Sequence, residues 1–262
     1  IGRLVNFVVE LCLRAPRASA FFLMKFAGEY ERWFGLNPCL MVVWFDLMEL
    51  YPHVQHFHKP GGFFERNALH IAAERGNERA VDILMDPDSR PPIASIINSR
   101  DHKGWTPLMA GCHSGNTGVV QRLLCHPLID LHPVNDKGET VLHLACRDGN
   151  FAIVQALLNH PRLPPLCVCT PDQGGRTPLH LASQRGDPGI VQLLLGHPRQ
   201  AHLNLNALTD KDGWNPLHYA AFIGYDDDDS LLRYFDWPDG DHVGVVQALL
   251  NYPSQPPLDI NA

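Results

Sequence analysis

The chain has 262 residues, of which 45% are hydrophobic, and it carries a formal charge of −7. This length and apolar content are sufficient for a substantial buried core. The negative charge is concentrated after residue 100, where ten Lys and Arg stand against seventeen Asp and Glu. Because neutralising phosphates requires a basic stripe, we expect no nucleic acid as the main partner.

The seven cysteines are an odd number and lack the density of a disulfide framework. Several stand at apolar positions, as Cys112 and Cys146 do. Cysteines in such positions are typical of reduced core thiols. The sequence therefore predicts a protein of a reducing compartment, the cytoplasm or the nucleus, and signals outside this chain could change that location.

Residues 1–60 form the first predicted region. Apolar helical patterns cover residues 4–13, 18–34 and 40–50, and Pro16 and Pro52 stop the first and the third. Charged residues interrupt each pattern, so no window is apolar enough to span a membrane. We expect a helical flank that packs on the following region, and the aromatic 18–34 helix could alternatively touch a membrane surface. His53, His56 and His58 then read as a polar linker, because nothing nearby completes a four-ligand metal set.

After residue 60, one pattern of two short helices occurs five times. The first helix of each copy starts at residue 67, 106, 140, 177 or 215, and a Gly separates it from the second helix. In the third copy the second helix places Ile153, Val154, Leu157 and Leu158 on one face. Helices of this length are marginal in isolation, so the copies are expected to pack on one another.

These copies resemble the ankyrin repeat. The resemblance rests on Thr177-Pro178-Leu179-His180 and its counterparts, on the Gly between the helices and on the Leu-Leu pair near the end of the second helix. It implies an all-α repeat fold, an ankyrin α-solenoid with short β-hairpin or loop fingers, preceded by the N-terminal helical flank. The expected array covers residues 61–262, with repeats near 61–100, 101–134, 135–171, 172–209 and 210–257. Residues 258–262 read as the start of a further hairpin, so we expect another repeat or cap to follow.

Three departures from the repeated pattern carry information. Met109 replaces the histidine that the family uses to tie a finger to a helix. Three second helices end in His-Pro, at His126, His160 and His197, where we expect the histidine to cap the helix and meet its dipole. The fifth copy contains an insertion, assigned to residues 226–242, that is rich in Asp and aromatic residues. It could be a solvated excursion, a calcium site or a partner-specific element.

The resemblance also implies where a partner would bind, on a concave face made by finger tips and first helices. The predicted contact residues are Arg66, Arg75, His102, Lys103, Trp105, His113, Lys137, Glu139, Arg147, Arg176, Arg185, Lys211, Trp214 and Phe222. The two Trp are of the type enriched in interface hot spots. We therefore expect a scaffold or adaptor that binds a protein partner.

The sequence offers no site for chemistry. It has no phosphate-binding Gly loop and no nucleophile motif, and the Cys167-Val168-Cys169 pair alone is weak evidence for a metal. We expect no enzyme activity, no cofactor and no metal. Two alternatives remain open. The array could regulate or target a larger enzyme or membrane protein whose active part lies outside this chain, or it could serve as an adaptor for protein degradation or a secreted effector.

Overall fold

A computed structural model describes residues 65–86, 92–163, 168–197, 204–209, 212–221 and 240–253. These residues form a mostly helical fold without a sheet, as predicted. No helix among them is both long and apolar enough to cross a membrane. The helices are α1 Ala68–Arg75, α2 Glu78–Met85, α3 Ile93–Ile96, α4 Pro107–His113, α5 Thr117–Cys125, α6 Val141–Arg147, α7 Phe151–Leu158, α8 Pro178–Arg185, α9 Pro188–Gly196, α10 Pro216–Ala221 and α11 His242–Leu250.

The first helix of each repeat, here called the inner helix, starts at the position read from the sequence. The inner helices are α1, α4, α6, α8 and α10. Asn67 accepts the backbone N–H of His70 at 3.0 Å, and Thr106 accepts that of Met109 at 3.3 Å. These side chains satisfy N–H groups that have no partner inside the helix. At the other end, Gly76 caps α1 in the left-handed conformation with φ 68°.

The second helix of each repeat, the outer helix, follows within a few residues. The outer helices are α2, α5, α7, α9 and α11. In α9 the carboxylate of Asp187 accepts the N–H of Ile190 at 3.0 Å and so begins the helix. In α7 the four residues predicted to share one face, Ile153, Val154, Leu157 and Leu158, are all buried. Full burial of such a side chain contributes roughly 1.5–3 kcal/mol, so these faces hold each repeat together.

The chain forms two compact units, residues 1–130 and residues 131–262. In the first unit α1 packs on α4 and α2 on α5. In the second unit α6 packs on α8 and α8 on α10, while α7 packs on α9 and α9 on α11. Inner helices therefore pack on inner helices and outer on outer, which is the arrangement that the repeated sequence predicts.

A polar contact also connects the two repeats of the first unit. The side-chain amide of Asn116, just before α5, donates to the carbonyl oxygens of Ala73 at 2.8 Å and Glu74 at 2.9 Å. Both carbonyls belong to the last turn of α1, where no intrahelical N–H is available. The repeat that follows thus supplies the C-terminal cap of the preceding inner helix.

The insertion in the fifth repeat is shorter than predicted. Its assigned last residues, Asp241 and His242, instead begin the outer helix: His242 is the first residue of α11, and the carboxylate of Asp241 accepts the N–H of Gly244 at 2.7 Å. The sequence misplaced this boundary because the Asp run continues into the N-cap. Residues 226–239 lie outside the described residues, as do the N-terminal flank at 1–60 and Cys167.

Candidate functional site

Each finger between repeats is a tight turn organised by its first side chain. Asp101 Oδ1 accepts the backbone N–H groups two and four residues later, at 2.8 and 2.9 Å. The Asp101 N–H in turn donates to the carbonyl of Trp105 at 2.8 Å and closes the turn. Asn135 and Asp172 repeat this pattern, and the Thr209 hydroxyl accepts one N–H in the last described finger. Sequence reasoning missed this role, although an Asp or Asn three residues before a Gly is a turn signal.

Two fingers of the second unit bond directly to each other. The N–H of Gln173 donates to the carbonyl of Lys137 at 2.9 Å. Gly138 makes this approach possible, because a Cβ there would stand 2.9 Å from the nitrogen of Gln173. Its φ of 76° would also strain any other residue. The exposed tips at Lys137 and Gln173 are consequently held side by side.

The residue before each inner-helix N-cap ends its finger, and we call it the finger-base residue. The backbone carbonyl of a finger-base residue accepts a hydrogen bond from a buried histidine of the preceding repeat. The distances to Nε2 are 2.9 Å for His70 and Trp105, 3.1 Å for His143 and Arg176, and 3.2 Å for His180 and Trp214. These contacts provide the tie between finger and helix that the family resemblance implies.

The bonds made by the other ring nitrogen establish the form of these histidines. Nδ1 of each ring accepts the backbone N–H of its own N-cap residue, at 3.3 Å in His70, 3.1 Å in His143 and 3.1 Å in His180. The rings are therefore neutral, with the proton on Nε2. Burial lowers the pKa of His70 and of His180 to about 4 and also lowers the pKa of His143.

The finger-base residues reach the last turn of their own inner helix. Nη1 of Arg66 donates to Glu74 at 2.7 Å, and Nη1 of Arg147 donates to Glu139 at 2.6 Å. Eight residues separate the partners in both pairs. The rings of Trp105 and His113 meet at the same two positions, edge to face, with centroids 5.0 Å apart. One geometry thus holds an ion pair in one repeat and an aromatic pair in another.

Three predicted contact arginines stand above buried carboxylates. Arg66 bonds Asp101 at 3.2 Å, and Arg176 bonds Asp172 at 2.9 Å. The side chains of Asp101 and Asp172 are 1% exposed, whereas those of Arg66 and Arg176 keep 22% and 34%. The guanidinium groups therefore remain reachable from solvent while their positions are fixed.

Glu139 is a correction to the predicted contact set. Its side chain is only 2% exposed, and its carboxylate accepts bonds from Arg147 at 2.6 Å and from the Asn135 amide at 2.6 Å. A buried carboxylate with these partners is part of the framework and is not available for direct contact. Its partner Arg147, with 26% of its side chain exposed, presents the pair to solvent.

Trp214 lies in an aromatic cluster of the second unit. Its ring stacks on His218 with centroids 6.3 Å apart and meets Tyr219 edge to face at 5.6 Å. Tyr219 also meets the buried His180 edge to face at 5.4 Å. Trp214, His218 and Tyr219 are all half-buried. Sequence reasoning missed Tyr219, because its counterparts in the other repeats are small or aliphatic residues of the core.

The remaining predicted contact residues differ in exposure. Arg75, His102, Lys103, His113 and Lys137 are exposed, whereas Arg66, Trp105, Arg147, Arg176, Arg185 and Trp214 are half-buried. Lys211 and Phe222 lie outside the described residues. Each unit therefore brings exposed cations and one half-buried Trp to its fingers and inner-helix ends.

The His-Pro histidines do not act as predicted. Nδ1 of His126 accepts the N–H of Leu128 at 3.2 Å, and Nδ1 of His160 accepts that of Arg162 at 3.3 Å. Each ring therefore closes the turn after its helix as an acceptor and does not place a cation against the dipole. Over the described ranges, no group of three or more His, Cys, Asp or Glu side chains is arranged to hold a metal ion.

Comparison with known families identifies the repeats. A family model described as "Ankyrin repeats (3 copies)" matches residues 45–134, 126–207 and 166–233. These matches overlap and together cover well over half of the chain. No curated protein matches the chain.

Proposed function

The chain belongs to the ankyrin-repeat family, whose repeats are generally non-catalytic protein-interaction modules, and on that premise we propose that it is a scaffold or adaptor. It binds a protein partner through its finger tips and inner-helix ends. The contact residues are those of the predicted set that remain exposed or half-buried, with Tyr219 added and Glu139 removed.

One observation carries the proposal. The framework of each described repeat is nearly constant, with a capping residue, a buried His or Met and a closed turn, while the finger-base residue changes from repeat to repeat. It is Arg66, Trp105, Glu139, Arg176 and Trp214 in turn. Different side chains held at one equivalent place on a rigid frame give a surface with a distinct chemistry at each step.

The aromatic cluster around Trp214 is the proposed anchor of that surface. Trp, Tyr and Arg are the residue types that contribute most at interfaces. Trp214 and Tyr219 are half-buried and held by ring contacts, so a partner would order little new structure when it covers them. Arg176, fixed by Asp172, adds directional N–H donors in the same unit.

We further propose that the protein works in a reducing compartment, the cytoplasm or the nucleus. Cys112 and Cys146 are free and buried. Burial raises the pKa of the Cys146 thiol well above its usual range. Such a thiol is unreactive and serves as a small apolar side chain of the core.

The test compares proteins captured from cell extract by the native chain and by two variants. Trp214→Ala removes the proposed anchor. Phe151→Ala is the matched control, because Phe151 is an aromatic residue with 44% exposure on outer helix α7. A partner that is lost with Trp214→Ala and kept with Phe151→Ala supports the proposal. Equal capture by all three proteins would contradict it.

A further inference from the structure

The fifth repeat exposes residues whose counterparts in the fourth repeat are buried. On inner helix α8, Leu179 and Ser183 are fully buried. The equivalent residues of α10 are Leu217, which is half-buried, and Ala221, which is exposed. The inner helix of the fifth repeat is therefore open on the side where α8 is covered.

The outer helices show the same difference. On α9, Val191 is fully buried and Leu195 is 4% exposed. The equivalents on α11 are Val246, which is half-buried, and Leu250, which is 53% exposed. We call Leu217, Ala221, Val246 and Leu250 the open face of the fifth repeat.

The second unit shows twice what covers this face. α10 and α11 pack on α8 and α9, and α8 and α9 pack in the same way on α6 and α7. The corresponding residues of the third repeat, Leu142, Cys146, Val154 and Leu158, are at most 1% exposed. In both cases the cover is the inner and outer helix of the next repeat.

His218 gives a second, polar indication of the same occupant. Its Nδ1 accepts the N–H of Asn215 at 3.2 Å, as Nδ1 of His180 accepts that of Thr177 at 3.1 Å. Nε2 of His180 then bonds the carbonyl of the next finger-base residue, Trp214. For Nε2 of His218, no acceptor is found among the described residues.

We propose that the open face docks a further ankyrin-type repeat of the same polypeptide, C-terminal to Pro253, and that His218 sets its register. The incoming outer helix covers Val246 and Leu250, and the incoming inner helix covers Leu217 and Ala221. Nε2 of His218 donates to the carbonyl of the incoming finger-base residue. This surface lies apart from the proposed partner-binding residues on the fingers, so it can fail independently of them.

The experiment places a copy of residues 171–197 after Ala262, which keeps the spacing from Leu158 to Asp172. Thermal unfolding is followed for the native and the extended chain. The extension should raise the unfolding midpoint by several degrees, because each stacked repeat adds a nearest-neighbour interface. An unchanged midpoint overturns the proposal.

Three variants assign any gain to the open face. Leu250→Glu should leave the native chain unchanged and remove the gain from the extended chain. Leu195→Glu, the buried counterpart, should destabilise both chains. His218→Met should reduce the gain and leave the native chain as stable as before. A native chain that Leu250→Glu destabilises as strongly as Leu195→Glu does overturns the proposal, since the face would already be covered. A native chain that dimerises through Leu250 also overturns it, since a second copy would be the occupant.

Discussion

Glu139 and Arg147 form the same contact as Arg66 and Glu74, with the charges exchanged. The N–O distances are 2.6 Å and 2.7 Å, and each pair joins a finger-base residue to the last turn of its inner helix. The fold therefore accepts either orientation of the ion pair at this position. Each pair connects a finger to the helix beside it and fixes a charged group at the proposed binding surface.

This relationship predicts the outcome of a charge exchange in the third repeat. Glu139→Arg alone should destabilise the protein by about 2 kcal/mol, below the range for fully buried pairs because Arg147 is partly solvated. Adding Arg147→Glu should restore more than half of this loss, because it recreates the Arg66–Glu74 arrangement. Recovery is incomplete, since the amide of Asn135 loses its carboxylate acceptor. Urea unfolding of the native, single and double variants measures the coupling, and additive losses would contradict the account.

The histidine ties predict a loss of stability when one is removed. His143→Met places in the third repeat the residue that the second repeat has at Met109. The carbonyl of Arg176 and the N–H of Thr140 then lose a partner, at a cost of about 1–3 kcal/mol. His160→Met is the matched control, because His160 is half-buried and bonds one N–H of a nearby turn. Chemical unfolding that ranks the two variants equally would contradict the structural role of His143.

Buried histidines also predict a pH dependence. The pKa of His70 and of His180 is about 4 in the folded protein, against 6.5 in the unfolded chain. Below pH 6.5 the unfolded chain binds more protons, so their stabilising contribution is complete above pH 6.5 and is lost as the pH falls towards 4. The slope reaches about 1.4 kcal/mol per pH unit for each histidine. Unfolding measured between pH 7.5 and 5.5 should show this decline, and His180→Met should reduce it. An equal slope in the variant would contradict the assignment.

Ser183 predicts a gain of stability. Its hydroxyl is fully buried in α8, and no hydrogen-bond partner is found for it among the described residues. Removing an unsatisfied buried group saves part of its desolvation cost, so Ser183→Ala should stabilise the protein by about 1 kcal/mol. Ser114→Ala is the control, since Ser114 is exposed at the end of α4. A lower thermal midpoint for Ser183→Ala would show that the hydroxyl has a partner.

The sequence predicted the helices because their signals are local. A capping residue at Thr140 and an apolar face on α7 act within a few residues and repeat five times. The role of Glu139 could not be read in this way. It occupies the same repeat position as Trp105 and Arg176, and its burial depends on Arg147 and Asn135 folding over it.

Tyr219 shows the same limit from the opposite side. Its helical position predicts a core residue, and its counterparts Leu144 and Leu181 are buried. Its large ring instead reaches Trp214 at the edge of the fifth repeat. Size and neighbours decided this placement, and neither is visible in the repeat pattern.

The central claim is that the finger-base Trp residues contact a partner. The measurement is the affinity of the recovered partner for Trp105→Ala, Trp214→Ala and the Phe151→Ala control, with the unfolding midpoint of each. Direct contact predicts a loss of about 2 kcal/mol in affinity for each Trp variant, little change in midpoint and full affinity for the control. Full binding by a protein that carries both Trp substitutions would contradict the claim, as would a loss of stability that accounts for the whole loss of binding.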